Sequence, residues 1–396
     1  MEAHHYLIQG LLLPELKLVS VSGFSRSSRT LVTVKERKGA VCPKCARLSL
    51  VLYDRRKVRL KDQPIQGKMI FLEVWKHRYF CKPCKRPFTE PLPGVLPRRQ
   101  TTQRFRAQVY WACENFTDLK RVCRAYRVSP GFVHHAFYEQ LALRSRKHHR
   151  YPFTESIGID EHCFGRKKGL GKREFVTMVV DHKNKKLFDV TLGKSHAELW
   201  AQLESREGRE NVKKVTLDLS DSYKSFVKGF FPNAQIIADR FHVQRLFNPI
   251  LHQARMEATG DQRKNPARIL LNKNRSNLKH WERSVLDRWL LVNPKINEIY
   301  QLKEAVARMY HIRGVERAEQ VFDRIIAALD TTQNKLLKTL QATFKRWKQE
   351  ILNFFRFRLT NARVEGFNNV AKVIKRRAYG FRSFENYKLR LLNACS

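Results

Sequence analysis

The segment Ser156–Gly165 is a short apolar run that carries two adjacent carboxylates, Asp160 and Glu161. Two further acids have a comparable setting, because Asp218 follows the run Val-Lys-Lys-Val-Thr-Leu and Glu365 lies in a helical pattern near the end of the chain. Carboxylates are the ligands that Mg²⁺ prefers, and two divalent ions about 3.5 to 4 Å apart commonly hydrolyse or transfer phosphodiesters. We therefore predict that Asp160, Asp218 and Glu365 are catalytic ligands of two Mg²⁺ (or Mn²⁺) ions.

Each of these acids taken alone could be a solvated carboxylate or a helix cap, and two neighbours compete for the roles. Asp221 would replace Asp218 if the strand before it were out of register, although the strand pattern ends at Asp218 or Leu219. Glu161 points to the opposite face of its strand from Asp160, because side chains alternate along a strand. We expect Glu161 to assist from that other face or to be exposed.

The segment that begins at Asn361 gathers polar groups around the third acid. The i, i+3/i+4 spacing places Asn361, Glu365, Asn368, Lys372 and Arg376 on one face of a helix. A lone acid among groups that bind phosphate would repel the DNA backbone. A metal ion bound to the acid would remove this repulsion. We predict that the two amides and two cations support the metal site.

The eight cysteines include two tight pairs, Cys42-Pro-Lys-Cys45 and Cys81-Lys-Pro-Cys84. Two CxxC knuckles brought together by strands offer four thiolates in the tetrahedral arrangement that Zn²⁺ prefers, with no position left open for catalysis. We predict a structural zinc site, with a hairpin between the two pairs; a redox-active CxxC and chance spacing are the alternatives. The other cysteines are scattered, which fits a reducing compartment better than a disulfide framework.

The charge of the chain indicates a polyanionic partner. Its 396 residues include 78 Lys and Arg against 36 Asp and Glu, a formal net charge of +42. Such a surface attracts nucleic acid through counterion release. An anionic membrane is the rival partner, but the sequence has no apolar run of roughly 18 residues, and the apolar patch at residues 7–14 lacks a basic leader. We predict an intracellular protein that binds double-stranded DNA and no membrane.

The elements that must position these residues follow from hydrophobic periodicity and from breaks at proline and glycine. We expect, in order, a strand-rich zinc-binding module (1–90), a linker (91–100), a helix-turn-helix domain with a basic linker (101–150), the first part of a catalytic domain (151–247), a helical insertion (248–360) and a final helix (361–396). The catalytic part alternates strands and helices. The predicted fold class is a multidomain α/β protein with a mixed sheet and a large all-helical insertion.

The helix-turn-helix prediction depends on a helix start at Ser129, which is a good N-cap, with Pro130 at the first helical position. DNA contacts are expected from this helix and the basic run after it, namely Ser129, His134, His135, Tyr138, Arg144, Arg146 and Lys147. A plain three-helix packing unit is the alternative, since a charge run alone usually marks a solvated linker.

Three dispersed motifs resemble the ISL3 family of bacterial insertion-sequence transposases. They are Ile157-Gly-Ile-Asp-Glu161, Val215-Thr-Leu-Asp-Leu-Ser220 with the later segment Phe231–Val243, and Asn361–Tyr387. They occur in the order of the family, and the resemblance covers nearly the whole chain, including the paired CxxC region and the helix-turn-helix.

This resemblance implies an RNase H-like catalytic domain interrupted by the helical insertion, with Asp160, Asp218 and Glu365 matching the DDE metal-binding triad. It also suggests an active-site role for Asp239 and His242; helix capping by the first and packing of the second are the alternative.

We predict a transposase that binds terminal inverted repeats and target DNA, cleaves strands with Mg²⁺ and transfers them, at the nucleoid in the bacterial cytoplasm. Because two ends must be processed together, we expect a homodimer or a larger assembly on DNA. Two other functions remain open: a zinc-dependent DNA-binding repressor or domesticated protein with vestigial acids, and a metal-dependent nuclease that does not join strands.

Overall fold

The computed structural model describes residues 10–23, 25–115, 118–148, 151–166, 173–260 and 266–396. The chain divides into two compact units, Met1–Ala142 and Leu143–Ser396. In the described ranges, no helix is both long enough and apolar enough to cross a membrane.

The N-terminal unit is built around a mixed sheet. Its described strands are β1 (Leu16–Ser22), β2 (Ser28–Lys35), β3 (Ala40–Val41), β4 (Leu48–Ser49), β5 (Leu52–Ile65), β6 (Lys68–Cys81) and β7 (Arg86–Thr89). The sheet order is β1-β2-β6-β5 with β7 beside β6, and β3 pairs with β4 separately. The turn between β5 and β6 places Gln66 and Gly67 at positive φ (48° and 73°), as a tight type I′ hairpin turn requires. The hairpin predicted between the two cysteine pairs is confirmed.

Three helices follow among the described residues: α1 (Gln103–Asn115) and α2 (Leu119–Tyr126) lie in this unit, and α3 (Pro130–His148) begins in it and ends beyond residue 142. The hydroxyl of Ser129 accepts from the backbone N–H of Phe132 (3.2 Å), so Ser129 caps α3 as predicted. Buried Asp62 on β5 accepts hydrogen bonds from the Thr102 hydroxyl (2.7 Å) and from the Arg104 guanidinium. Residues 91–100, the expected linker, are therefore followed by a helical segment whose start is held to the sheet by hydrogen bonds to Asp62.

The second unit contains the sheet that carries the predicted acids. Its described strands are β8 (Ser156–Arg166), β9 (Arg173–Asp181), β10 (Lys186–Leu192), β11 (Lys214–Leu217) and β12 (Gln235–Ala238). The strand order is β10-β9-β8-β11-β12, with antiparallel pairing in β8, β9 and β10 and parallel pairing of β11 to β8 and to β12. The mixed strand and helix succession is confirmed. The sequence also predicts a turn at residues 165–172, and residues 167–172 of it lie outside the described residues.

Helices cover both faces of this sheet. They are α4 (His196–Leu203), α5 (Asp221–Phe230), α6 (Arg240–Arg245), α7 (Phe247–Thr259), α8 (Pro266–Asn272), α9 (His280–Leu291), α10 (Pro294–Met309), α11 (Val315–Thr331), α12 (Lys335–Arg346), α13 (Lys348–Phe357), α14 (Ala362–Arg377) and α15 (Phe384–Ala394). One core lies beneath α4, α5 and the helices of the insertion, and the other lies beneath α14 and α15. Between residues 248 and 360, the described chain forms helices and connecting turns, as periodicity predicted.

The C-terminal segment 361–396 differs from the single final helix that we expected. It contains two helices, because Tyr379 (φ 53°) and Gly380 (φ 97°) adopt the left-handed conformation and end α14. The N–H of Gly380 then bonds to the carbonyl of Lys375 (3.0 Å), a common way for a helix to close.

Candidate active site and metal centre

Strand alternation determines which face of the sheet carries Asp160. Ile157 and Ile159 belong to the core beneath α4 and α5, whereas Met178, which pairs with Asp160, belongs to the core beneath α14. Residues directly opposite each other in a sheet share a face. Asp160 therefore points to the α14 side, together with Gly158 and His162, which lie two residues before and after it.

Asp218 lies directly after β11, which is paired in parallel with β8. Burial and the nearby Asp218 carboxylate raise the pKa of Asp160 to about 7. The two acids are thus close enough for their charges to repel, and a cation between them would remove this cost.

His242 and Asp239 lie beside Asp218. The ring Nδ1 of His242 donates to Asp239 Oδ2 (3.2 Å) and lies 2.8 Å from Asp218 Oδ1. Burial alone would lower the pKa of His242, but the contacts with Asp218 and Asp239 outweigh it and raise the pKa to about 10. The protonated ring of His242 is thus shared between Asp239 and the buried Oδ1 of Asp218.

The start of α14 is held against β8 by Asn361. Its Nδ2 donates to the carbonyl of Ile159 (3.2 Å), its Oδ1 accepts from the Thr216 hydroxyl (2.8 Å), and its N–H donates to Asp239 Oδ1 (3.2 Å). A Cβ on Gly158 would come within 2.8 Å of Asn361 Oδ1 and 2.6 Å of Val364 Cγ2. Glycine at this position therefore permits the close approach of α14 to the strand that carries Asp160.

Two turns further along α14, Asn368 contacts the first acid directly. Its Nδ2 donates to Asp160 Oδ2 (2.7 Å), and its Oδ1 lies 2.9 Å from Nδ1 of His162. Burial lowers the pKa of His162 to about 4. Our sequence analysis missed Gly158 and His162, although both alternate with Asp160 on one face of β8, a signal that was present in the sequence.

Glu365 is exposed in the first turn of α14, between the two asparagines that contact the sheet. Lys372 and Arg376 are also exposed, and Lys372 Nζ donates to Asn369 Oδ1 (3.3 Å). The structure thus brings Asn361 and Asn368 to the acids, while Glu365 and the two cations face solvent.

The two competing acids have other partners. Glu161 is on the far face from Asp160, as expected, and pairs with Lys194 Nζ (3.2 Å). It nevertheless lines a cavity of about 400 Å³ together with Asp218 and His242. Asp221 is the first residue of α5, is exposed and pairs with Arg346 (3.2 Å), which favours Asp218 as the acid of the site.

The four cysteines form a compact cluster. Cys42, Cys45, Cys81 and Cys84 place their sulfurs within 4.8 Å of one another, and among the described residues this is the one group of three or more His, Cys, Asp or Glu that close together. The backbone N–H groups of Cys45 and Lys44 lower the pKa of Cys42 to about 6, whereas the Cys45 sulfur and burial raise the pKa of Cys84 to about 12. Four thiolates this close require a cation, so the donor set fits Zn²⁺.

The side chains predicted to contact DNA lie on or next to α3. His134 and His135 are exposed, and the His134 ring lies 4.4 Å from the ring of Tyr138. Arg144 and Arg146 are exposed. The side chain of Lys147 lies outside the described residues.

A basic groove, which sequence analysis did not identify, adjoins α3. This cavity of about 890 Å³ in the N-terminal unit is lined by the cations Lys57, Arg59, Lys76, Arg98 and Arg99, among other residues. Arg99 also contacts His135 Nε2 on α3 (3.2 Å). The groove thus reaches the exposed start of α3 through the contact between Arg99 and His135.

Comparison with known proteins gives two matches to family models. The model of the ISL3 family, described as a transposase, matches residues 157–391. A second model, described as the zinc-finger of transposase IS204/IS1001/IS1096/IS1165, matches residues 38–84. The first match contains all three predicted acids, and the second contains both cysteine pairs.

Curated relatives extend the similarity over most of the chain. The transposase for insertion sequence element IS1001 of Bordetella parapertussis is 26% identical over 366 residues, which cover 89% of this chain and 88% of that protein. The transposase for IS1557 of Mycobacterium tuberculosis is 25% identical over 348 residues, 79% of this chain and 76% of that protein. An ATP-dependent protease of Lactococcus lactis is 34% identical over 115 residues, only 28% of this chain, and a match this short carries no inference about the whole protein.

Proposed function

This chain belongs to the ISL3 family of transposases, and we propose that it cleaves and joins DNA at the acids that follow β11 and lie on β8. The proximity of Asp160 and Asp218 carries this proposal, because a divalent cation would relieve the repulsion between the two neighbouring carboxylates.

We propose that the second unit is an RNase H-like domain. Its sheet has three antiparallel strands followed by two parallel ones, with helices on both faces and acids at neighbouring strands. The helical insertion separates β12 from α14, which carries the third proposed acid, Glu365.

Mg²⁺ would be held by Asp160 and Asp218, with Glu365 as the third ligand of a two-ion site. When bound, the ions would supply an activated nucleophile and stabilise the leaving oxygen of the phosphodiester. Asp239 orients His242 beside Asp218, and Asn368 fixes one oxygen of Asp160. These neighbours keep the carboxylates in place before DNA arrives, which lowers the cost of organising the site.

The N-terminal unit is the proposed DNA-end binding part. We propose that α2 and α3 form a helix-turn-helix in which α3 presents His134, His135 and Tyr138 to DNA bases, while the basic groove contacts the phosphates. The cysteine cluster holds a structural Zn²⁺ in this unit. Processing two inverted repeats together requires at least two copies of the chain, and a DNA substrate places the reaction at the bacterial nucleoid.

Neutralising two arginines of the groove should weaken binding to transposon-end DNA and to unrelated DNA alike. Phosphate contacts position a protein without reading sequence, and each lost contact reduces the slope of log K against log salt concentration by about 0.9. The double variant Arg59→Gln, Arg98→Gln should therefore lower the slope by about 2, measured by fluorescence anisotropy over a salt series.

Lys17→Gln is the matched control for this experiment. Lys17 is an exposed lysine on β1, at the other edge of the same sheet, where it pairs with Glu36. A slope that changes no more in the arginine variant than in this control would show that the groove does not contact DNA.

The proposed reaction can be tested with labelled transposon-end DNA, target DNA and Mg²⁺. Products in which the labelled end is joined to target DNA support the transposase. Cleavage without joining favours a nuclease, and tight binding without cleavage favours a DNA-binding repressor and refutes both enzymatic functions.

A further inference from the structure

A chain of three hydrogen bonds connects α15 to Asp160. The hydroxyl of Tyr387 lies 2.5 Å from Nε2 of His162, Nδ1 of His162 lies 2.9 Å from Oδ1 of Asn368, and Nδ2 of Asn368 lies 2.7 Å from Oδ2 of Asp160. Tyr387 and Asn368 are buried (0% and 6% exposed). The contacts join β8, α14 and α15, and His162 and Tyr387 are 225 residues apart in the sequence.

The chemistry of each group determines the direction of these bonds. A carboxylate only accepts, so Asn368 must present its NH₂ group to Asp160 and its oxygen to His162. The oxygen in turn requires a proton on Nδ1 of His162. In a neutral ring Nε2 is then the acceptor, so the Tyr387 hydroxyl donates to it. One tautomer of His162 therefore satisfies the whole chain.

Asp160 is held at both oxygens by this arrangement. Its Oδ1 accepts from the backbone N–H of Glu161 (2.7 Å) and its Oδ2 accepts from Asn368. Each carboxylate oxygen has a second lone pair, so both hydrogen bonds leave acceptor capacity for a cation. If His162 were absent, the buried oxygen of Asn368 would lose its hydrogen-bond donor, and the bond to Asp160 would be left to hold the amide in place.

We propose that His162 and Tyr387 are positioning residues that lock the amide of Asn368 and thereby hold the carboxylate of Asp160 in the orientation that binds metal. This inference rests on the proposed function, in which Asp160 is a metal ligand. Side chains that orient a metal ligand commonly contribute roughly 10- to 100-fold to metal affinity.

Packing is the rival explanation for Tyr387. Its ring lies 5.2 Å from the ring of Phe164 and 5.1 Å from that of Phe381, so the side chain would be buried here without any hydrogen bond. The two roles separate in Tyr387→Phe, which keeps the ring and removes the hydroxyl. At His162, an asparagine can place an amide N–H near the position of Nδ1, whereas a leucine cannot.

The first test observes the tautomer without any reaction. Nitrogen NMR of the full-length chain with labelled histidine, at neutral pH with Mg²⁺, should show His162 protonated at Nδ1; the signal is assigned by its loss in His162→Asn. In Tyr387→Phe, the preference for this tautomer should weaken. A ring protonated at Nε2 in the wild-type protein would overturn the proposal.

The second test measures Mg²⁺ affinity by calorimetry, together with the melting temperature. His162→Leu should bind Mg²⁺ about 10- to 100-fold more weakly, Tyr387→Phe should show a smaller loss, and His162→Asn should recover most of the affinity. His196→Asn, a change at an exposed histidine of α4, is the control and should not alter binding.

The outcomes separate this inference from the proposed function. Wild-type protein that binds no divalent ion contradicts both. If the Tyr387→Phe and His162→Leu variants fold and bind Mg²⁺ as tightly as the wild-type protein, the positioning role alone is contradicted. If His162→Leu does not fold, Tyr387→Phe and His162→Asn decide, because equal affinity in wild type and Tyr387→Phe would also refute the inference.

Discussion

Asp218→Asn should reduce strand cleavage and joining by about a thousandfold while DNA binding stays unchanged. Asparagine has nearly the same shape but lacks the charge that holds a divalent cation, and metal ions supply several kcal/mol of transition-state stabilisation. A loss of about 4 kcal/mol corresponds to this factor. The measurement is the rate of labelled strand-transfer product at saturating Mg²⁺, compared with wild-type protein.

The same substitution should change the stability of the protein little. Asparagine removes the repulsion between Asp218 and Asp160, but it also removes the ion pair between Asp218 and His242, and the two effects oppose each other. We expect a melting temperature close to that of wild-type protein. An inactive variant that also melts at a much lower temperature would indicate that Asp218 stabilises the fold and is not a metal ligand.

Glu365→Gln and Glu161→Gln form a matched pair that identifies the third acid. Glu365 lies in the first turn of α14 near the two asparagines that contact the sheet, and Glu161 is neutralised by Lys194. We expect the glutamine at position 365 to inactivate the protein and the one at position 161 to leave most of the activity. The reverse result would assign the role to Glu161, which lines the same cavity as Asp218.

Local patterns in the sequence predicted the succession of strands and helices that carries the acids. Strands β9 and β10 are short apolar runs joined by a turn at residues 182–185, and β11 ends directly before Asp218. Such signals are contained in a few consecutive residues. The family was also identified correctly from three motifs, since each combines an acid with a recognisable apolar run.

Contacts between distant segments could not be predicted in this way. His162 and Asn368 meet across 206 residues, and Asn361 reaches Thr216 across 145. Nothing in the sequence near His162 shows that a helix from the end of the chain will cover it. Only Gly158 offered a signal, because a glycine within a strand often marks a close approach of another backbone.

Helical spacing gave the wrong environment for part of α14. The i, i+3/i+4 rule placed Asn361, Glu365, Asn368, Lys372 and Arg376 on one face, but the buried residues of α14 are Val364, Asn368, Ala371 and Ile374. Glu365, Lys372 and Arg376 lie on the neighbouring stripe of the helix and are exposed. Periodicity shows which residues share a stripe of the helix and not where the edge of the buried stripe falls.

Cys42→Ser should release the metal from the N-terminal unit and open both cysteine turns. The buried cluster there is small, with Tyr79, Phe88 and Ala40 around the two buried cysteines Cys42 and Cys81. So few apolar residues cannot hold two turns in place, whereas structural zinc contributes on the order of 10 kcal/mol to folding in small domains. Zinc content, measured by atomic emission, should fall from about one ion per chain to nearly none.

Proteolysis distinguishes local unfolding of the two cysteine turns from unfolding of the whole protein. Trypsin should cut the Cys42→Ser variant rapidly at Lys44, inside the first turn, and at Lys85, directly after the second turn, while the second unit stays intact. Cys123→Ser is the control, because Cys123 lies on α2 outside the cluster. If both variants retain zinc and resist trypsin equally, the four cysteines do not form a structural metal site, and the strands β6 and β7 must hold the turns without one.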